Sequence, residues 1–173
     1  ACCEFLLSRG AIVYMYDDVA AGAVQSTMAK LEERGAIPLR QGGFASAAEE
    51  CDVLVLSPGI PIDHELPVLF RKKGKRILGE AELGCLFLRA ALVAVTGTNG
   101  KTTTVTMIDE ILRAAGEKSI ACGNIGLPLV ACVDGLGYDD IAVMEVSSFQ
   151  LETLSSIRPH IAVITNVTED HLD

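Results

Sequence analysis

The sequence predicts an α/β fold built from parallel sheets and divided into two domains. Short apolar runs that suit buried strands alternate with stretches that suit helices, which is typical of a parallel sheet covered by helices on both faces. This alternation restarts at Ala91. We therefore expect a Rossmann-like domain over residues 1–90 and a second α/β domain over residues 91–173.

The first domain opens with a helix and then alternates strands with helices. Gly35 and Gly74 end two of the helices, because glycine readily takes the left-handed conformation that follows a helix. The Pro58-Gly59 pair ends the middle strand. The predicted strands are 11–18, 52–57 and 76–80, and the predicted helices are 1–10, 21–35, 63–74 and 81–90.

The second domain contains four predicted strands and one long helix. The strands cover residues 92–96, 118–122, 141–148 and 160–170, and the helix covers residues 101–116. Open α/β sheets bind ligands at the carboxyl ends of their strands. Polar residues that follow these strands are therefore the candidates for a site.

The composition argues against some classes of binding partner and some cellular locations. The net charge of -9 and the pI near 4.8 argue against binding to nucleic acid or to an anionic membrane surface, since both favour a basic face. No apolar run reaches the roughly 18 residues of a membrane span, and the first residues lack a secretory pattern. The six cysteines form no C-x-x-C pair, which favours a reduced, cytoplasmic setting.

The stretch "VTGTNGKTTT" joins a predicted strand to a predicted helix through a glycine-rich turn. Such a turn directs backbone N–H groups and a helix N-terminus at an anion. Gly97 and Gly100 permit the turn, Lys101 supplies a charge for outer phosphates, and Thr102 offers a hydroxyl to Mg²⁺. The turn is shorter than the standard phosphate-binding loop, whose first glycine is replaced by Val95. The alternative is an ordinary turn capped by Thr and Asn.

Two further polar features follow apolar strands. Glu145 lies within an apolar run, where an ionised carboxylate is costly unless it is paired or bound to metal; the alternative is a strand mouth open to water. Asn166 and His171 belong to the polar stretch that follows the last predicted strand. A lone histidine there is more often a surface or capping residue than a ligand.

Four motifs together resemble the Mur ligase family. They are "VTGTNGKTTT", "GNIGLPL", "EVSSFQLE" and "NVTEDHLD", in the order and approximate spacing found in that family. The phrase Ser-Ser-Phe-Gln-Leu-Glu is most similar to the members that add D-glutamate. The resemblance also covers "SPGI" and "ILGEAELG", so it extends through most of the chain.

The resemblance implies roles for individual residues. Lys101, Glu145 and His171 would be catalytic, and Thr102, Glu145 and His171 would hold metal. The second domain would be a P-loop-type ATP-binding domain, with ATP phosphates held by Gly97, Thr98, Asn99, Gly100, Lys101, Thr102 and Thr103. The muramoyl substrate would contact Asn124, Ser147 and Gln150, and its uridine end would contact Asp17, Asp18, Ser57, Pro58 and Gly59.

The implied activity is ATP-dependent amide-bond formation in peptidoglycan precursor synthesis. D-Glutamate would be added to UDP-N-acetylmuramoyl-L-alanine through an acyl phosphate, with ATP and Mg²⁺ as cofactors, by a protein that is monomeric at full length. Relative to the family pattern, a first strand would precede Ala1, and a carbamylated lysine and an amino-acid-binding domain would follow Asp173. We therefore expect residues 1–173 alone not to catalyse ligation.

Other functions fit part of the sequence. Another Mur-type or folylpolyglutamate-type ligase would share most of the motifs. A P-loop nucleotide switch would explain the glycine-rich turn but not "EVSSFQLE" or "NVTEDHLD". A dinucleotide-binding oxidoreductase is suggested only by Asp18 at the end of a predicted strand.

Overall fold

The structure, a computed structural model, describes residues 1–18, 22–40 and 42–169. It confirms the α/β class, and the chain divides into two compact units. The first unit comprises Ala1–Leu56 and Ile60–Ile77, and the second comprises Ser57–Gly59 and Leu78–Asp173. The functional division into domains 1–90 and 91–173 stays a prediction.

The first unit has short strands and four helices. β1 (Tyr14–Met15) pairs in parallel with β2 (Ile37–Pro38), and β3 (Val53–Leu56) pairs with β4 (Arg76–Gly79), along which the chain enters the second unit. The helices are α1 (Cys2–Leu7), α2 (Ala23–Glu33), α3 (Phe44–Glu50) and α4 (Glu65–Lys72).

One predicted strand of the first unit is too long, and two elements were not predicted. The strand expected at 11–18 is confined to β1, and the sequence predicted neither β2 nor α3. α3 begins with Phe44, whose buried ring meets Tyr16 edge to face with centroids 4.7 Å apart. Ala47 and Ala48 are buried on the same face of α3 as Phe44, so this face packs into the core together with the aromatic contact.

The second unit is built on a four-stranded parallel sheet. The strands, in the spatial order β6-β7-β5-β8, are β6 (Ser119–Gly123), β7 (Ile141–Glu145), β5 (Ala91–Thr96) and β8 (Ile161–Ile164). The helices are α5 (Glu80–Phe87), α6 (Lys101–Ala114), α7 (Leu129–Cys132) and α8 (Ser148–Leu151), with a short 3-10 turn at Val133–Gly135. No helix in the described ranges is long and apolar enough to cross a membrane.

The core of this sheet explains why β5 and β7 are nearly all apolar. Val93, Val95 and Val143 from adjacent strands cluster with Val105 of α6, and all four side chains are buried. β-Branched residues suit this environment because their stiff side chains pack well on a pleated surface. The packing holds the start of α6 against the carboxyl end of β5.

Two strands end earlier than predicted. The strand expected at 141–148 ends at Glu145, because Ser147 begins α8 as its N-cap. The strand expected at 160–170 ends at Ile164, and the residues after it bond to the turn between β5 and α6. Polar residues therefore follow both strands at the same edge of the sheet, where the carboxyl ends of the strands lie.

Candidate functional site

The glycine-rich turn has the backbone geometry that the sequence predicted. It joins β5 to α6, and its two glycines have φ angles of 135° at Gly97 and 82° at Gly100. A Cβ at Gly97 would lie 2.2 Å from Thr165 Oγ1 and 2.8 Å from the Asn166 carbonyl oxygen. Glycine is thus required at Gly97 both for conformation and for space.

Lys101 is the first residue of α6, and its side chain lies over the turn. Its ammonium donates to the carbonyl oxygens of Gly97 at 2.6 Å and Thr98 at 2.9 Å. The first N–H groups of an α-helix lack partners inside the helix and carry partial positive charge. The ammonium and the start of α6 together make this end of the sheet attractive to an anion.

Glu145 is the last residue of β7 and its side chain is only 2 % exposed. Thr102 Oγ1 donates to Glu145 Oε2 at 2.7 Å, and Asn124 Nδ2 donates to Glu145 Oε1 at 2.9 Å. The alternative of a carboxylate open to water is therefore wrong. The carboxylate is instead held by two partners beside the start of α6.

The position of Asn124 depends on the end of β6. The Asn124 N–H donates to the Glu145 carbonyl oxygen at 3.0 Å, and the preceding Gly123 has a φ angle of 101°. A Cβ on Gly123 would lie 2.3 Å from that same carbonyl oxygen. Gly123 therefore lets β6 approach β7 closely enough for the Asn124 amide to reach Glu145.

The oxygen atoms at this site suit Mg²⁺. This cation prefers oxygen ligands and is usually bound by one or two carboxylates together with substrate phosphates. Glu145 supplies a carboxylate, Thr102 supplies a hydroxyl, and the two atoms are already within hydrogen-bond distance of each other. Within residues 1–18, 22–40 and 42–169 no three His, Cys, Asp or Glu side chains are grouped to hold a metal ion.

The other predicted catalytic residue is His171, which lies outside the described residues. Its assignment as a metal ligand stays a prediction. Thr103 is on the first turn of α6, next to Thr102. The other two residues predicted to be catalytic, Lys101 and Glu145, lie at the start of α6 and at the end of β7. Glu145 is bonded to Thr102, the residue that follows Lys101.

Ser147 and Gln150 form a capping box at the start of α8. Ser147 Oγ accepts from the Gln150 N–H at 3.2 Å, and Gln150 Oε1 accepts from the Ser147 N–H at 2.9 Å. The pair thus satisfies two backbone donors at the start of α8, whose N-cap lies two residues after Glu145. Their predicted contact with substrate stays a prediction.

The residues predicted for the uridine end lie away from these elements in sequence. Asp18 Oδ1 accepts from the Tyr16 hydroxyl at 2.6 Å, and Asp18 Oδ2 lies 3.5 Å from His64 Nε2. Asp17 precedes it, in the first unit. The predicted turn after β3 is present at Pro58 and Gly59, next to Ser57. None of these contacts tests a role in binding the uridine.

Burial determines the chemistry of two of the six cysteines. All six are free thiols. Burial raises the pKa of Cys85 and of Cys122 to about 12, so both stay protonated and serve as small apolar side chains.

Sequence reasoning singled out Asn166 as a polar residue after the last strand, but it missed the contact of Asn166 with the glycine-rich turn and did not single out Thr165 or Thr168. Thr165, Asn166 and Thr168 follow β8, which neighbours β5 in the sheet. Asn166 Oδ1 accepts from the Asn99 N–H at 3.0 Å, and Thr165 Oγ1 donates to the Asn99 carbonyl oxygen at 2.7 Å. The polar stretch after this strand was visible in the sequence, but its partner was not.

Known proteins resemble the chain in sequence and in fold. Residues 95–173 match the profile of the Mur ligase middle domain. The UDP-N-acetylmuramoylalanine--D-glutamate ligases of Pelotomaculum thermopropionicum and Acidobacterium capsulatum are each 45% identical to the chain, over 173 and 170 residues. Each alignment covers 98% of this chain and 37% of the relative, so the chain spans well under half the length of these curated relatives.

A solved structure shows the same fold. It is the UDP-N-acetylmuramate:L-alanyl-gamma-D-glutamyl-meso-diaminopimelate ligase from Neisseria meningitides, with a TM-score of 0.58 and 20% sequence identity. The match covers 99% of this chain and 57% of that one. At this identity the structural match shows the fold alone. The middle-domain match over residues 95–173 and the curated relatives at 45% identity show that the chain belongs to the Mur ligase family.

Proposed function

We propose that the chain supplies the ATP-phosphate site and the magnesium site of a ligase that adds D-glutamate to UDP-N-acetylmuramoyl-L-alanine. The observation that carries the proposal is the buried Glu145 carboxylate, which Thr102 and Asn124 hold beside the glycine-rich turn. A phosphate site and a carboxylate for Mg²⁺ are needed together when ATP activates an acid. The names and 45% identity of the relatives support the choice of substrates.

The proposed reaction has two bond-forming steps. A carboxylate oxygen of the muramoyl substrate attacks the γ-phosphorus of ATP, the bond to the bridging oxygen breaks, and ADP leaves. The amine of D-glutamate then attacks the acyl carbon of the resulting acyl phosphate and loses a proton as inorganic phosphate leaves. The activation is necessary because a free carboxylate is a poor electrophile.

The residues of this chain act mainly by position and charge. Negative charge on the transferring phosphoryl group would be met by the Lys101 ammonium and by the first N–H groups of α6. Glu145 and Thr102 would hold Mg²⁺, which when bound neutralises charge on the phosphates. Asn124 fixes the orientation of the Glu145 carboxylate through Oε1.

The remaining assignments belong to the same proposal. Ser147, Gln150 and Asn124 would contact the muramoyl part of the substrate. Asp17, Asp18 and the turn Ser57, Pro58, Gly59 would contact its uridine end, and His171 would hold metal. The proposal also includes the cytoplasmic location and the monomeric state predicted from the sequence.

Nucleotide binding by the chain tests the phosphate site. We expect Lys101→Ala to weaken ATP binding by at least roughly 30-fold, because it removes the charge that lies over the turn. Lys118→Ala is the matched control, since Lys118 pairs with Asp140 on the surface, and ATP affinity should not change. Equal ATP affinity for Lys101→Ala and the wild type, measured by titration calorimetry, would contradict the phosphate site.

Substrate binding separates a ligase from a nucleotide switch. We expect UDP-N-acetylmuramoyl-L-alanine to raise the unfolding temperature of the chain, whereas NAD at the same concentration should not. ATP binding without any effect of the UDP-sugar would favour a switch. Stabilisation by NAD alone would favour a dinucleotide-binding domain.

A further inference from the structure

The segment that follows β8 is bonded to the glycine-rich turn at several atoms. We refer to Thr165, Asn166 and Thr168 together as the loop clamp. The Asn166 side chain accepts from the Asn99 N–H at 3.0 Å and donates to the Asn99 carbonyl oxygen at 2.9 Å. One side-chain amide thus bonds both backbone polar groups of Asn99, as a neighbouring strand would do.

Thr98 is held by the backbone of the same segment. Its N–H donates to the Asn166 carbonyl oxygen at 3.1 Å. Its hydroxyl donates to the Thr168 carbonyl oxygen at 3.1 Å and accepts from the Thr168 N–H at 3.0 Å. The Thr98 hydroxyl and the N–H groups of Thr98 and Asn99 are therefore directed at the loop clamp.

The two halves of the glycine-rich turn differ in whether their polar groups are free to bind phosphate. The first half of the turn is fixed to the loop clamp, so the groups that face an anion come from the second half, from Gly100 onward into α6. Gly100 is the N-cap of α6 and has a φ angle of 82°, which turns the chain directly from Asn99 into the helix. The orientation of the first N–H groups of α6 thus depends on where Asn99 is held.

We propose that Asn166 is a positioning residue for the phosphate site. It fixes Asn99, and through Asn99 it fixes Gly100, Lys101 and the start of α6 relative to the sheet. It acts through the turn and needs no contact with the nucleotide. The inference rests on the proposed ATP site, but the contact between Asn166 and Asn99 can be tested without nucleotide.

The first measurement is amide hydrogen exchange in the chain without nucleotide. We expect Asn166→Ala to accelerate exchange of the Asn99 N–H by roughly tenfold or more, because that N–H loses its acceptor. Exchange in β5 and β7 should not change. Val167→Ala is the matched control, because Val167 lies in the same segment, is 82% exposed and is not part of the loop clamp, so its exchange pattern should equal that of the wild type.

The second measurement is the affinity for ATP with Mg²⁺. We expect Asn166→Ala to weaken binding roughly tenfold, since two hydrogen bonds that fix the turn are lost. Asn166→Asp keeps the acceptor for the Asn99 N–H and loses the donor. It should restore protection of that N–H and recover part of the ATP affinity. Val167→Ala should bind ATP as the wild type does.

The outcomes separate the two proposals. If the wild type binds no ATP, the proposed function fails, while the exchange data still decide whether Asn166 fixes the turn. Wild-type ATP affinity in Asn166→Ala would overturn the positioning role. So would accelerated exchange throughout β5 and β7, because Asn166 would then support the sheet rather than the turn. If Asn166→Ala does not fold, Asn166→Asp decides, and an unprotected Asn99 N–H in that variant overturns the inference.

Discussion

Two glutamates of the second unit are almost completely buried, yet the surroundings of each indicate different roles. Glu145 is 2 % exposed and Glu82 is 1 % exposed. Glu82 Oε1 accepts from the hydroxyls of Ser155 and Ser156 at 3.0 Å and 2.6 Å, which ties α5 to the segment after α8. Glu145 instead lies at a strand end beside the start of α6.

The difference shows that burial of a carboxylate does not by itself mark a metal site. Both carboxylates are satisfied by hydrogen bonds, as buried polar groups must be. The hydrogen-bond partners of each carboxylate indicate its role. Glu82 joins two structural elements through serine hydroxyls, whereas the Thr102 partner of Glu145 is itself a residue of the anion-facing helix start.

The largest expected effect concerns the support of Glu145. Gly123→Ala should reduce the free energy of unfolding by about 3 kcal/mol, because the new Cβ would lie 2.3 Å from the Glu145 carbonyl oxygen at a φ angle of 101°. Urea denaturation measures the change. Gly135→Ala is the control, since a Cβ there meets no atom within 4 Å. Equal unfolding midpoints for the two variants would contradict the close approach of β6 to β7.

The next effect concerns the second glutamate. Glu82→Ala should lower the free energy of unfolding by about 2 kcal/mol, because two hydroxyls lose a charged acceptor. ATP affinity, measured under conditions in which the variant stays folded, should equal that of the wild type. Loss of ATP affinity in a folded Glu82→Ala protein would contradict a purely structural role for Glu82.

The smallest effect concerns a third carboxylate, which lies at the surface. A hydrogen bond from Lys118 lowers the pKa of Asp140 below its ordinary value, so ionised Asp140 stabilises the fold. This contribution is complete above the unfolded-state pKa of about 3.9 and is lost as the pH falls through the lower folded-state pKa. Asp140→Asn should therefore be slightly less stable than the wild type at neutral pH and equal to it in strong acid, as acid and urea titrations can measure.

Residues with a local signature could be predicted from the sequence. Gly97, Gly100 and Lys101 follow an apolar strand and precede a helix, and the structure has this arrangement. Glu145 was evident as a charge in an apolar run. Whether its side chain is buried could not be decided from the sequence, because the carboxylate is held by Asn124, which follows β6.

Long-range contacts explain what the sequence did not predict. Asn166 bonds a residue 67 positions earlier, and Ser155 bonds a glutamate 73 positions earlier. Neither pair has a spacing that a helix or a hairpin would enforce. The first contact exists because β8 lies beside β5 in the sheet, and the second exists because the segment after α8 reaches α5. Both are properties of the folded chain rather than of any local segment.

The magnesium dependence of ATP affinity tests the central claim, that Glu145 and not Glu82 serves the nucleotide site. We expect Glu145→Gln to lower ATP affinity on the order of 100-fold in Mg²⁺ and to have little effect in EDTA. Glu82→Gln is an equally conservative change at an equally buried position, and its ATP affinity should match that of the wild type in both buffers. Wild-type affinity in Mg²⁺ for Glu145→Gln, or an equal loss for Glu82→Gln, would contradict the assignment.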